Sequence, residues 1–280
     1  MAEVSPLLEQ LNPQQREAVL SSEGPVLILA GAGSGKTRVI THRIAYLLLE
    51  KGVPADAILA VTFTNKAAGE MRERAERLLA RWPLPAFVGT FHRFALVLLR
   101  RYGDRLGLAR DFAILDDADQ RALVTQAMAA ERIPESAFPP RAILSAISAA
   151  KNRLETPELF EKRAKDVFEQ RVARVYRRYE ALCRKVSGVD FDDLLAFAVR
   201  LLDEAPEVAA RTRARCRALL VDEFQDLTPA HLLLIRLIAG PAADVFGVGD
   251  DDQVIYGYAG ADPGFLIDYR RYFPAAATYD

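Results

Sequence analysis

A short glycine-rich turn near the N-terminus separates an apolar run from an amphipathic segment. The apolar run is VLIL (Val26 to Leu29), the turn is AGAGSGKT (Ala30 to Thr37), and apolar residues then recur at helical spacing. A strand, a tight turn and a helix in this order make the first half of a βαβ unit, and such units build parallel sheets. The segment therefore predicts an α/β fold.

The same alternation of strand and helix returns four times along the chain. The further predicted strands are Ile58–Phe63, Phe87–Gly89, Ala218–Val221 and Asp244–Val248. Each is a short apolar run followed by residues with helical or turn character, as expected for strands buried on both faces. We predict one parallel sheet flanked by helices.

A block of consecutive helices interrupts this pattern. Between about residues 107 and 189 the sequence predicts helices punctuated by prolines and no clear strand. We therefore predict a discontinuous sheet domain, residues 1–106 and 190–280, with an all-helical subdomain inserted at 107–189. Residues 151–185 hold eleven Lys or Arg against six Asp or Glu, a local net charge of +5. Both a solvated helix face and a DNA-facing surface are compatible with that charge.

Composition narrows the function classes. The chain has 280 residues, of which 51 % are hydrophobic and 27 % charged, so it can bury a large core. The net charge of −1 excludes a global attraction to nucleic acid, and any DNA affinity must be local. The two cysteines form no disulfide or zinc pattern, and no run of about 18 apolar residues occurs. We predict a cytoplasmic protein without a membrane partner.

The glycine-rich turn has the chemistry of a phosphate-binding loop. Gly31, Gly33 and Gly35 allow successive backbone N–H groups to turn toward phosphate oxygens, and the following helix adds its positive N-terminal end. Lys36 is the candidate ligand of the β- and γ-phosphates, and Thr37 that of Mg²⁺. A dinucleotide-binding turn is disfavoured, because Lys36 stands where its third glycine is required.

Two later predicted strands end in side chains suited to nucleotide hydrolysis. VDEFQD places Asp222 and Glu223 after a strand, as a candidate Mg²⁺ ligand and a candidate general base for the attacking water. VGDDDQ places Gln253 after the last strand as a candidate sensor of the γ-phosphate. The predicted catalytic residues are thus Lys36, Asp222, Glu223 and Gln253.

Seven segments in order resemble the motifs of superfamily 1 DNA helicases of the UvrD, PcrA and Rep type. They are LNPQQREAV, AGAGSGKT, VTFTNKAAGEM, GTFHRF, DFDDLL, VDEFQD and VGDDDQVIYGYAGA, and together they extend over essentially the whole chain. The resemblance implies a RecA-like P-loop domain that uses ATP and Mg²⁺. It also implies movement along single-stranded DNA from 3′ to 5′, unwinding at junctions of single and double strands, and work in DNA repair or replication near the nucleoid.

The same resemblance assigns further residues. Gln15 is expected to read the adenine and Arg38 to lie near the nucleotide. The implied nucleotide-binding set is Gln15, Ala30, Gly31, Ala32, Gly33, Ser34, Gly35, Lys36, Thr37 and Arg38, with Thr37 and Asp222 on the metal. The implied DNA-binding set is Phe63, Asn65, His92, Tyr256 and Tyr258. Aromatic rings in such positions stack on bases without sequence preference.

The chain departs from the family pattern in two respects. Tyr258 replaces a usual tryptophan and Ala259 a usual arginine, so we expect weaker binding of single strands. The second motor domain, which supplies arginines for the transition state, has no counterpart before Asp280, so we expect ATP binding with weak turnover. Two other interpretations stay open: a P-loop phosphotransferase acting on a small molecule, and a module that binds ATP and single strands without turnover.

Overall fold

The computed structural model describes residues 6–21, 24–31, 33–81, 83–240, 244–255, 261–274 and 276–279. The chain forms two compact units. The first is drawn from Met1–Phe94, Pro206–Leu227 and Ile235–Asp280, and the second from Ala95–Ala205 and Thr228–Leu234. Among the described residues, no helix combines the length and the apolarity needed to cross a bilayer.

A six-stranded parallel sheet forms the centre of the first unit. Its strands are β1 (Val26–Leu29), β2 (Ile58–Thr62), β3 (Phe87–Thr90), β6 (Ala218–Val221), β7 (Asp244–Gly249) and β8 (Ala277–Tyr279). Their order in the sheet is β3-β2-β6-β7-β1-β8, and every neighbouring pair is parallel. The predicted α/β fold is confirmed. Strand β8 was not predicted from the sequence.

Helices surround this sheet, and several begin at side-chain caps. The helices of the first unit include α1 (Pro6–Glu9), α2 (Pro13–Leu20), α3 (Lys36–Leu49), α4 (Asn65–Leu79), α11 (Pro206–Ala214), α13 (Gly264–Ile267) and α14 (Tyr269–Tyr272). Asn12 caps α2 and Thr64 caps α4 through side-chain oxygens that accept backbone N–H groups. Apolar faces of α2, α3 and α4 pack with β1, β2, β6 and β7 in one buried cluster. This packing fixes where each helix begins relative to the strand ends.

The second unit is mainly helical. It contains α6 (Asp117–Ala130), α7 (Pro140–Asn152), α8 (Pro157–Arg163), α9 (Val167–Lys185) and α10 (Phe191–Glu204), and α5 (Phe91–Tyr102) and α12 (Pro229–Ala239) each contribute residues to both units. Its own apolar cluster includes Val124, Ile147, Phe160 and Tyr179. The expectation of no strand here is wrong. Two-residue strands β4 (Ala113–Ile114) and β5 (Gly188–Val189) pair in parallel, and they are too short to show any hydrophobic period.

The second unit is larger than the helical insertion predicted at 107–189. It takes in Ala95–Ala205 together with Thr228–Leu234. One reason is that α5 runs without a break from Phe91 to Tyr102, so the change from sheet to helical packing falls inside a helix. A loop signal in the sequence cannot mark such a boundary. The predicted domain limits therefore stay predictions.

Candidate active site

The Ala30–Thr37 segment, here called the phosphate loop, joins β1 to the N-terminus of α3. Gly33 and Gly35 have φ values of 79° and 94°, in the left-handed region that glycine adopts without strain. Lys36 is the first residue of α3, so the unpaired N–H groups of the first helical turn lie beside it. Ala30 donates its N–H to Gly249 O of β7 (2.9 Å), which fixes the start of the loop on the sheet. Ala32 lies outside the described residues.

The outer part of the loop is held by Gln15 from α2. Gln15 Nε2 donates to Ser34 O over 2.8 Å, while the backbone of Gln15 belongs to the capping box with Asn12. A Cβ atom at Gly35 would lie 2.7 Å from Gln15 Nε2, so a larger residue at this position would displace the Gln15 amide from its present position. Gln15 thus lies against the phosphate loop. Recognition of adenine by Gln15 stays a prediction.

Lys36 is bonded to a residue that the sequence analysis did not select. Its Nζ lies 2.7 Å from Asp250 Oδ2, at the end of β7, and the Asp250 side chain is fully buried. Gln253 Nε2 donates to the same oxygen over 2.6 Å. Burial alone would raise the pKa of Asp250, but the Lys36 ammonium and the Gln253 amide hold that pKa below its usual value. The signal that could have found Asp250 is its place directly after a buried strand.

Asp222 and Glu223 follow β6, which lies next to β7 on the side opposite β1. Asp222 is buried, and this burial, with the negative charge of Glu223, raises its pKa to about 6. Its Oδ1 accepts no hydrogen bond from the described residues. Glu223 has φ 51°, a left-handed conformation that is strained for a residue with a side chain and that clusters at functional sites. A buried carboxylate oxygen with spare acceptor capacity fits a divalent cation.

Gln225, which was also not among the predicted site residues, connects these two strand ends. Its Oε1 accepts the N–H of Asp250 (3.0 Å), and its Nε2 donates to Glu223 Oε2 (2.8 Å). Only 4 % of Gln225 is exposed. A continuous path of hydrogen bonds therefore runs from Glu223 through Gln225 and Asp250 to Lys36 and Gln253.

The remaining nucleotide-set residues lie near the start of α3. Thr37 is half-buried, and its carbonyl accepts the hydroxyl of Thr41. Arg38 is exposed and its carbonyl accepts from Thr41 and from a ring nitrogen of His42. Gly31 accepts the N–H of Ser34 (3.2 Å) within the loop. The structure thus brings the described nucleotide-set residues to the carboxyl ends of β6, β7 and β1.

The described residues of the DNA-binding set follow β2 and β3, at the carboxyl ends of these strands. Phe63 comes after β2 and packs edge-on against Phe91, with ring centroids 5.6 Å apart. Asn65 is exposed at the first position of α4, and His92 is half-buried at the start of α5 after β3. Burial lowers the pKa of His92 to about 4. Its ring is therefore neutral at pH 7, and any DNA contact it makes is stacking or hydrogen bonding. Tyr256, Tyr258 and Ala259 lie outside the described residues.

The basic segment 151–185 is largely paired with acids inside the second unit. Arg174 and Arg178 pair with Glu131, and Arg163 pairs with Glu155 and Glu169. Further pairs are Arg153–Glu155, Arg177–Glu161 and Arg184–Glu180. Lys151, counted in the same segment, is buried. These contacts support the interpretation as a self-neutralised helix surface over that of a DNA-facing one.

A parallel sheet whose first strand leads through a glycine-rich loop into a helix, with carboxylates at the adjacent strand ends, defines a RecA-like P-loop domain. The comparisons with known proteins give the family. The family model described as the UvrD/REP helicase N-terminal domain matches residues 11–274. This chain belongs to that family of helicases.

Similar proteins include ATP-dependent DNA helicases named PcrA. Those of Staphylococcus epidermidis (strain ATCC 12228 / FDA PCI 1200) and Staphylococcus aureus (strain NCTC 8325 / PS 47) are each 43 % identical over 272 residues. The alignments include 97 % of this chain and 37 % of each relative. This chain thus corresponds to little more than a third of the length of these relatives.

Proposed function

We propose that this chain binds ATP with Mg²⁺ and single-stranded DNA, and that it is the motor portion of a helicase that moves 3′ to 5′ and unwinds junctions. The single observation that supports nucleotide binding is the ion pair between Lys36 and Asp250. Asp250 follows β7, and Asp222 and Glu223 follow the adjacent strand β6. A lysine at the N-terminus of a helix, facing acids at adjacent strand ends, is suited to phosphoryl transfer. DNA repair or replication in the cytoplasm is the setting that this function implies.

Mg²⁺ would reach the site together with the nucleotide. Thr37 and Asp222 are the residues that would hold it, and the orphaned Asp222 Oδ1 supports that assignment. When bound, the ion neutralises phosphate charge. Glu223, whose carboxylate is oriented by Gln225, is the group that would accept a proton from the attacking water. Lys36 and Gln253 would bind phosphate oxygens.

Single-stranded DNA would pass over the ends of β2 and β3. Phe63 offers an aromatic face there, while Asn65 and His92 offer polar groups without a net charge. A base stacked on such a ring contributes about 1 to 3 kcal/mol whatever its identity. The net charge of −1 is compatible with this mode of binding, because stacking needs no global basic field.

Nucleotide binding is tested by calorimetric titration of the purified chain with ATP and Mg²⁺. Lys36→Ala should weaken binding at least about tenfold, since a charged hydrogen bond to phosphate is lost. Lys51→Ala removes the same charge at an exposed position after α3 and should bind like the wild type. Equal affinity of the two variants would contradict the proposed role of Lys36.

DNA binding and coupling are tested with an oligo-dT strand. Phe63→Ala should lose about 1 to 3 kcal/mol of affinity in fluorescence anisotropy, whereas Leu49→Ala, exposed at the end of α3, should lose none. Hydrolysis of ATP that rises with oligo-dT supports a DNA-coupled motor. Hydrolysis indifferent to DNA would favour the phosphotransferase. Binding without hydrolysis, even beside a partner domain that supplies the transition-state arginines, would favour the module without turnover.

A further inference from the structure

One carboxylate oxygen, Asp250 Oδ2, accepts two donors that the proposed function assigns to the nucleotide. Lys36 Nζ lies 2.7 Å from it and Gln253 Nε2 lies 2.6 Å from it. The Asp250 side chain is completely buried and the Lys36 side chain is only 12 % exposed, so the ion pair is largely shielded from water. Its backbone is also fixed, because the N–H of Asp250 donates to Gln225 Oε1. The carboxylate is thus held in place beside the phosphate loop.

Binding of phosphate must compete with this ion pair. A phosphate oxygen and the Asp250 carboxylate are both anions that attract the Lys36 ammonium, and a buried carboxylate that loses its cation is strongly destabilised. Lys36 therefore cannot transfer fully to a phosphate without a cost at Asp250. After such a transfer, Gln253 remains as the side-chain donor to Asp250 Oδ2 among the described contacts.

We propose that Asp250 is a positioning residue that holds Lys36 in the nucleotide-free protein and is displaced from it when phosphate binds. Asp250 acts through Lys36 and Gln253 and does not touch the nucleotide. This inference rests on the proposed function and adds a regulatory step to the same site.

The inference predicts opposite effects of two substitutions on the binding of ADP with Mg²⁺, measured by calorimetry. Asp250→Asn weakens the competitor for Lys36, so ADP should bind about tenfold more tightly than to the wild type. Gln253→Ala leaves Lys36 as the main partner of Asp250, so ADP should bind about threefold more weakly. ADP is chosen because it lacks the γ-phosphate that Gln253 would contact directly.

Asp252→Asn is the matched control. Asp252 is exposed, and its Oδ2 lies 3.9 Å from where a Cβ of Gly31 would be, so it carries the same charge next to the same loop. Its removal should change ADP affinity by at most about threefold, as expected for an exposed charge. Equal effects of Asp250→Asn and Asp252→Asn would overturn the inference, since only a general reduction in negative charge would then be at work.

A second readout needs no nucleotide. The rate at which an acylating reagent labels Lys36, followed by mass spectrometry, should be higher in Asp250→Asn than in Asp252→Asn; equal rates would overturn the inference.

Melting temperatures without ligand identify a variant that fails to fold. If Asp250→Asn fails to fold, the test rests on Gln253→Ala. ADP binding to Gln253→Ala that is unchanged from the wild type, or tighter, would then overturn the inference. Absence of ADP binding by the wild type would instead overturn the proposed function.

Discussion

His92 illustrates how burial sets the chemistry of a single side chain. Its ring lies at the start of α5, directly after β3, and desolvation lowers its pKa to about 4. An unperturbed histidine titrates near pH 6.5. The ring of His92 is therefore neutral at pH 7, whereas a histidine with an unperturbed pKa is still partly protonated at that pH.

We predict that His92 makes the protein sensitive to acid. Below pH 6.5 the unfolded chain binds a proton at this ring that the folded chain refuses, so stability is lost as the pH falls from 6.5 to about 4. The shift corresponds to about 3 kcal/mol. Urea unfolding at pH 7 and pH 4 should show a smaller loss for His92→Gln than for the wild type. An identical loss in both proteins would contradict the burial of a neutral ring.

Glu223 shows a second effect at the residue scale. Its φ of 51° places a non-glycine residue in a costly conformation, and the Gln225 amide holds the resulting carboxylate over 2.8 Å. Such strain persists only where the surroundings over-determine it. The short turn between β6 and α12 therefore fixes the candidate base rather than leaving it on a mobile loop.

At the scale of elements, the buried side chain of an arginine in α3 forms hydrogen bonds to the end of α2 and to β7. Arg43 of α3 donates to the carbonyls of Val19 and Ser21 over 2.8 and 3.0 Å, and pairs with Asp244 over 2.9 Å. The guanidinium thereby satisfies carbonyls at the C-terminal end of α2, which intrahelical bonds leave without partners. The helix that carries Gln15 is thus fixed to the helix that carries Lys36.

A buried lysine has the corresponding position in the second unit. Lys151 of α7 lies 2.6 Å from carboxylate oxygens of both Asp190 and Asp193, and 3.0 Å from one of Glu180. Burial by itself would lower the pKa of Lys151, but these three carboxylates raise it well above its usual value. Three helix segments, in α7, α9 and the start of α10, therefore depend on one ammonium group.

We predict that Lys151→Met destabilises the protein by about 3 to 5 kcal/mol, because it leaves buried carboxylates without their cation. Lys162→Met, at an exposed position of α8, serves as the control and should change stability by less than about 0.5 kcal/mol. Chemical unfolding followed by circular dichroism at pH 7 measures both. Similar effects of the two substitutions would show that the cluster around Lys151 contributes little to folding.

At the scale of the whole molecule, each compact unit has its own apolar core. The first core is built around the sheet and the second around α6, α7, α8 and α9. A ligand stabilises only the structure whose unfolding destroys its site, by about 2.7 kcal/mol at a concentration of 100 times Kd. The two units should therefore respond differently to nucleotide.

We predict that ATP with Mg²⁺ slows hydrogen exchange in β1, β6, β7 and α3 and leaves the slowest amides of α9 unchanged. Exchange measured by mass spectrometry, with and without nucleotide, tests this difference. At the same ATP concentration, Lys36→Ala should show a smaller nucleotide effect in the first unit than the wild type, because its affinity for ATP is lower. Equal protection of both units in the wild type would mean that they unfold as a single cooperative structure.

Much of the fold was predictable because its signals are local. Apolar runs, glycines with a defined φ and capping side chains are read from neighbouring residues, and they predicted five of the six strands of the main sheet in chain order. Strand β8 and the β4–β5 pair escaped notice because they are very short and depend on partners far away in sequence. The functional roles of the motif residues stay predictions.

The sequence by itself determined the parallel α/β fold, the family and the phosphate loop, since each depends on residue order within short segments. Only the tertiary structure decided the partner of Lys36, which is Asp250, 214 residues away. It also decided that Gln225 joins two strand ends and that Lys151 is buried. Such contacts depend on strand order and parallel register, which place the ends of distant segments side by side. No local pattern records which charged groups will meet there.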